Sequence, residues 1–145
     1  METGTSFTRL DPAAADRIQT LRRDLGVTSF GLNLMVLGPG QRGRIHRHER
    51  QEEVYVVLAG MLTLMLEGEP HDMGPGDAVR VGPEVRRQLV NRTDGRVDVL
   101  AMGGSGDHAG RDGLAFADWS DAAGRPVPEV PLPADLPAAE LRPAS

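Results

Sequence analysis

The sequence predicts an all-β domain, an antiparallel β-barrel of the jelly-roll kind, with a short N-terminal helix and an irregular proline-rich C-terminal tail. From Thr28 onward, short apolar runs are separated by Gly, Pro and Asp, which is the pattern of an all-β chain. Gly60 alone separates two of these runs, and the turn-rich stretch 68–76 is too short to hold a crossover helix. Neighbouring strands are therefore predicted to be antiparallel, and 145 residues suffice for one barrel.

The N-terminal segment, residues 1–27, is predicted to contain the helix. Asp11 is a suitable N-cap, Pro12 suits the first helical position, and apolar residues follow at spacings of three and four as far as Leu25. Gly26 then ends the helix, because glycine readily adopts the left-handed conformation found after helix C-termini.

The barrel is predicted to occupy residues 28–102, and residues 103–145 form a third segment. Residues 103–113 are a flexible loop by composition, and the six prolines from Ala123 onward predict an extended tail that is either disordered or laid across a neighbouring surface. The apolar runs predicted as strands are 29–37, 53–59, 61–67, 77–81, 87–90 and 96–102.

Composition excludes several classes of function. The chain has no Cys and no Lys, so thiol chemistry, zinc-thiolate sites and Schiff-base catalysis are excluded. A net charge of −5 with dispersed arginines argues against a nucleic-acid partner. Apolar stretches fall short of the roughly 18 residues that a membrane span needs, and no signal-peptide pattern occurs, so we expect a cytoplasmic protein with no membrane partner.

Residues 39–60 contain the pattern that indicates chemistry. Side chains alternate faces along a strand, so His46 and His48 point the same way with Cα atoms about 6.6 Å apart. Two imidazoles at that spacing can converge on one ion, and Glu53 opens the next strand after a short turn. Two His and one carboxylate on one face are typical of sites for Fe, Mn, Ni, Zn or Co, and the sequence does not choose among these divalent metals.

These residues resemble the first motif of the cupins, G-x5-H-x-H-x4-E-x6-G. Gly40, His46, His48, Glu53 and Gly60 meet it in full. The resemblance covers roughly residues 28–102 and implies a small cupin barrel in which the two histidines and the glutamate bind a metal. It also implies a homodimer, since small cupins commonly associate through edge strands.

The second cupin motif, G-x5-P-x-G-x2-H-x3-N, is met only in part. Gly76 and Asn91 agree, but Gly82 replaces the proline, Glu84 the glycine, and Arg87 the third histidine. The resemblance therefore implies that the fourth metal ligand has been lost.

Three arrangements follow from that loss. In the first, three ligands and water hold the metal, and Arg87 attracts an anionic ligand. In the second, Arg87 forms an ion pair with Glu53 and its guanidinium replaces the metal, because a buried cation needs a carboxylate. In the third, a β-bulge brings Gln88 inward as a weak oxygen ligand.

Two classes of function remain open at this stage. One is a metal-dependent enzyme, an oxygenase, isomerase or decarboxylase, that acts on a small anionic organic molecule inside the barrel. The other is a non-catalytic ligand-binding or sensory cupin that has lost its metal and pairs Arg87 with Glu53. We expect Tyr55 to point inward with Glu53, where its hydroxyl either contacts substrate or bonds to backbone; Arg87, Tyr55 and Gln88 are the predicted substrate-binding residues.

Overall fold

The computed structural model describes residues 4–104 and 112–144, and its strands form two antiparallel sheets. The prediction of an antiparallel jelly-roll barrel is confirmed. The helix α1 is Leu21–Leu25, and the strands in chain order are β1 (Ile18–Gln19), β2 (Gly31–Leu37), β3 (Ile45–His48), β4 (Glu52–Ala59), β5 (Leu62–Leu66), β6 (Glu69–Met73), β7 (Ala78–Val81), β8 (Arg87–Val90), β9 (Val97–Gly104), β10 (Gly113–Phe116) and β11 (Arg125–Pro126).

The five-stranded sheet has the order β1-β2-β9-β4-β7, and the six-stranded sheet has the order β11-β10-β3-β8-β5-β6. Alternate residues of both sheets point inward and pack a common core between them. The buried members of this core are Leu37, Tyr55, Val57, Leu62, Leu64, Met73, Val81, Leu89, Val97, Val99 and Ala101.

The N-terminal helix is shorter than predicted. Residues 12–14 form a turn, Arg17 has a positive φ of 68°, and Ile18–Gln19 pair with the edge of β2 before the helix begins at Leu21. A strand edge offers unpaired N–H and C=O groups, and pairing with it competes with helix formation. Gly26 ends the helix in the left-handed conformation as predicted.

The stretch 68–76, predicted as turn, contains the strand β6. Its pairing with β5 is regular over five residue pairs, from Leu62 opposite Met73 to Leu66 opposite Glu69. Its Pro70 is tolerated because β6 lies at the edge of the six-stranded sheet, where a missing N–H breaks no ladder.

The proline-rich tail lies across the barrel of its own chain. Arginine side chains of the segment before β3 hold it, since Arg42 donates two hydrogen bonds to the carbonyl oxygen of Ala134 and Arg44 donates one to that of Val130. Residues 105–111, most of the predicted flexible loop, lie outside the described ranges. No helix in the described part of the chain is long and apolar enough to span a bilayer.

Candidate metal centre

Two consecutive strands bring the three predicted ligands together. His46 and His48 lie on β3 and point to the same face, and Glu53 lies near the start of β4, in the other sheet. The short connection from Glu49 to Gln51 crosses from one sheet to the other, so the local sequence spacing alone places the three side chains at one end of the barrel.

The ligand atoms converge. Nε2 of His48 is 3.0 Å and Nε2 of His46 is 3.5 Å from Oε1 of Glu53, and one ligand atom from each residue lies within 4.8 Å of the others. Two ligands bound at about 2.1 Å and at a right angle are about 3.0 Å apart, so this spacing suits one shared ion. The imidazole rings are nearly perpendicular, at 89°.

Hydrogen bonds assign the proton of each imidazole. Nδ1 of His46 lies 3.2 Å from the carbonyl oxygen of Arg44, and Nδ1 of His48 lies 2.7 Å from Oδ1 of Asp112. Both partners only accept, so each Nδ1 donates, and Nε2 is the nitrogen of each ring that faces Glu53.

Ring nitrogens that face a carboxylate need a cation between them, either a proton or a metal ion. Nε2 of His48 is buried and has no hydrogen-bond partner among the described residues, despite lying 3.0 Å from Glu53. A buried polar atom without a partner is costly, and a metal ion would satisfy this nitrogen together with the carboxylate. The donor set therefore fits a divalent transition metal.

The pKa shifts of the clustered side chains reflect the same crowding. Burial acts to raise the pKa of Glu53, but the imidazoles of His46 and His48 hold it well below its usual range. Burial acts to lower the pKa of His48, but the carboxylates of Glu53 and Asp112 outweigh it and raise this pKa above its ordinary value. A positive charge is thus favoured between these groups.

Asp112, just before β10, was not predicted from the sequence. Its Oδ1 accepts from Nδ1 of His48 and Nε2 of Gln51, and its Oδ2 accepts from the backbone N–H groups of Arg50 and Gln51. Burial acts to raise its pKa, but these hydrogen bonds lower it far below the usual range. It follows a glycine-rich stretch of sequence at no fixed spacing from the histidines, so no sequence signal marks it.

Tyr55 points inward as predicted, but its hydroxyl has a different partner. The side chain is 1% exposed and its hydroxyl donates to Oε1 of Glu53 at 2.7 Å. Burial and the charge of Glu53 raise the pKa of Tyr55 well above its ordinary value, so it remains a donor. Among the described residues its hydroxyl bonds to this carboxylate rather than to a backbone group, and it thereby orients Glu53.

Arg87 faces the ligands from β8, directly opposite His46 in the β3–β8 pairing. Its side chain is fully buried, Nε lies 3.8 Å from Oε1 of Glu53, and one Nη donates to the carbonyl oxygen of Gly82 at 2.7 Å. Nε and the other Nη have no hydrogen-bond partner in the described ranges. A guanidinium with free N–H groups therefore lies where the cupin motif has a histidine.

Gln88 does not join the cluster. The β5–β8 pairing is regular from Arg87 to Val90, so no bulge turns the strand, and Gln88 points to the face opposite Arg87. Its amide donates to the carbonyl oxygen of Gly43 at 3.0 Å. The arrangement with Gln88 as an inward oxygen ligand is therefore wrong for this register.

Two cavities meet at the cluster. One, of about 270 Å³, has a mostly polar wall that includes His48, Glu53, Asn33, Gln51 and Arg22. The other, of about 200 Å³, is largely apolar and touches His46, with Met35, Leu89 and Leu132 among its lining residues. A small molecule in the polar cavity would contact His48 and Glu53 directly.

Comparison with known proteins agrees with this description. A family model for the cupin domain, Cupin_2, matches residues 33–103. Protein SchB of Streptomyces halstedii is 32% identical over 69 residues. The matched segment is 48% of this chain and 50% of that protein, so the match spans about half the length of this relative.

Solved structures extend the likeness over more of the chain. A sugar phosphate isomerase from a cupin superfamily, from Silicibacter pomeroyi, is 27% identical with a TM-score of 0.62, covering 90% of this chain and 87% of that one. A Cupin 2 conserved barrel domain protein from Salinispora arenicola is 25% identical with a TM-score of 0.62, covering 70% and 90%. With the complete first motif and the jelly-roll fold, these matches show that the chain belongs to the cupin superfamily.

Proposed function

We propose that this cupin is a metal-dependent enzyme that acts on a small anionic organic molecule in the polar cavity. The observation that supports it is the convergence of His46, His48 and Glu53, with Nε2 of His48 buried and lacking a hydrogen-bond partner among the described residues. His46, His48 and Glu53 would hold Fe, Mn, Ni, Zn or Co. Such an ion supplies Lewis-acid polarisation of a bound oxygen atom.

The remaining residues of the site position the ligands and the substrate. Asp112 fixes the tautomer of His48, and Tyr55 orients the carboxylate of Glu53. Arg87 offers two N–H groups without partners in the described ranges beside that carboxylate. These groups suit an anionic oxygen of the substrate, since guanidinium pairs well with carboxylate and phosphate.

Among oxygenase, isomerase and decarboxylase, we favour isomerase. The Silicibacter pomeroyi protein described as a sugar phosphate isomerase covers most of this chain at 27% identity, which supports a phosphorylated substrate. A proton shuttle for such a reaction would have to involve the polar side chains of the 270 Å³ cavity. Association through edge strands and a cytoplasmic location stay predictions from the sequence.

The second candidate is a ligand-binding or sensory cupin without a metal. The 3.8 Å approach of Arg87 to Glu53 favours it, because a fully buried guanidinium next to a carboxylate forms a neutral pair without an ion. A guanidinium also repels a neighbouring divalent ion, which weakens metal binding.

Metal analysis separates the two candidates. The chain is purified without a metal-affinity column, in parallel with a His46→Ala, His48→Ala double variant and with His71→Ala, which removes an exposed histidine of β6 as the matched control. About one equivalent of metal in the wild type and in His71→Ala, lost in the double variant, supports the enzyme. Metal-free protein that stays metal-free after soaking in each ion would reject it in favour of the second candidate.

A further inference from the structure

Arg22 is a cationic side chain of the polar cavity that the barrel motifs do not include. It lies on α1, outside the matched family segment, and lines the same cavity as His48 and Glu53. Its Nε is buried and has no hydrogen-bond partner among the described residues. Because no acceptor in the described part of the chain pairs with this Nε, the half-buried guanidinium is suited to an acceptor oxygen of a bound ligand.

The backbone holds Arg22 at this place. The carbonyl oxygen of Arg22 accepts the N–H of Val27 in the turn that ends α1, and the preceding Leu21 packs against Leu34 of β2. The helix is therefore anchored to the sheet that forms the cavity wall. Neighbouring Arg23 is exposed and does not line the cavity, so the two arginines of this helix differ in what they face.

The charges around the cavity favour an anionic ligand. Among the residues that line the cavity, Arg22 carries a positive charge and Glu53 a negative one, and a divalent ion held by the cluster would add two positive charges. The loaded site would then have an excess of two positive charges, which a phosphate ester or a dicarboxylate neutralises.

We propose that Arg22 is a ligand-binding residue that receives the phosphate or carboxylate group of the molecule bound in the polar cavity. The proposal rests on the proposed function of the site, because it assigns the residue that binds an anionic group of the same ligand. The N-terminal segment thereby contributes specificity, since the guanidinium of Arg22 selects a ligand with an anionic oxygen group at this end of the cavity.

The test uses the full chain and two anions as probes. Inorganic phosphate and acetate are titrated separately into the wild type, Arg22→Gln and Arg23→Gln, with glycerol as a neutral probe. Metal content and thermal unfolding are measured on the same samples. We expect Arg22→Gln to weaken binding of at least one anion about tenfold or more, as for loss of one charge-assisted hydrogen bond, while Arg23→Gln binds as the wild type.

The outcomes distinguish the inference from the proposed function. Metal content reports on the ligand cluster, whereas the ratio of anion affinities between Arg22→Gln and Arg23→Gln reports on Arg22 alone. The stronger probe identifies phosphate or carboxylate as the group recognised. Equal affinities in the two variants, or no anion binding by a wild-type protein that holds its metal, would overturn the assignment of Arg22. Arg22→Lys, which keeps the charge, should retain part of the affinity if the role is binding.

Discussion

Substitution of Asp112 by asparagine should weaken metal binding although Asp112 is not a ligand. The change removes one acceptor oxygen from a side chain that is 7% exposed and accepts four hydrogen bonds. If the amide oxygen of the new asparagine keeps the backbone N–H groups of Arg50 and Gln51, its NH₂ faces Nδ1 of His48. That nitrogen can then only accept, so the imidazole proton must move to Nε2, the atom that should bind the metal.

The contacts of Asp112 determine how much metal affinity and stability the substitution should remove. Loss of an outer carboxylate that orients a metal-binding histidine typically lowers metal affinity by about 10–100-fold. Loss of one charge-assisted hydrogen bond in a nearly buried network should also lower the free energy of unfolding by about 1.5–3 kcal/mol. The opposite orientation of the asparagine amide would lose other hydrogen bonds, because its NH₂ would then face the two backbone N–H groups of Arg50 and Gln51.

Competition with a chelator measures the metal affinity, and urea unfolding of the metal-free protein measures the stability. Glu49→Gln is the matched control, because it removes an exposed carboxylate from the turn whose backbone N–H groups bond to Asp112. Equal metal affinity in Asp112→Asn and Glu49→Gln would contradict this role of Asp112, since His48 would then need no carboxylate to hold its tautomer.

Three further substitutions test the site and the fold. Arg87→His should raise metal affinity about tenfold or more by restoring a fourth ligand, the third nitrogen, and chelator competition should show no such gain in Arg87→Met if the ligand rather than the lost charge is responsible. Asn91→Ala should lower the free energy of unfolding by about 3 kcal/mol, because the two N–H groups of its fully buried amide are shared among three carbonyl oxygens and its Oδ1 accepts two further hydrogen bonds; metal content should not change, and a loss below about 1 kcal/mol by urea unfolding would count against this network. Gly60→Ala should cost more than about 3 kcal/mol, because φ is 79° and an added Cβ would collide with the carbonyl oxygen of Arg96. Gly76→Ala, with φ of 90° and open space, should cost only about 1–2 kcal/mol in the same assay, and equal losses would show that the collision is relieved.

The candidate metal ligands could be predicted because their arrangement is local. Alternation along β3 puts His46 and His48 on one face, and a short turn brings Glu53 beside them, so the spacing in sequence nearly determines the spacing in space. Six strands were predictable for the same reason, since β2, β4, β5, β7, β8 and β9 are each a short apolar run between turn residues. The strand β6 escaped prediction because an edge strand with exposed polar residues lacks that apolar pattern.

Only the tertiary structure decided what surrounds the ligands. Asp112 reaches His48 from a position 64 residues away in sequence, and Arg22 reaches the cavity from a helix outside the barrel. The pairing of β3 with β8 determined that Arg87, and not Gln88, faces Glu53. The N-terminal residues before α1 became an edge strand because the unpaired side of β2 was available. Long-range pairing, burial and hydrogen bonding follow from the packing of the two sheets, which spacing along one strand does not contain.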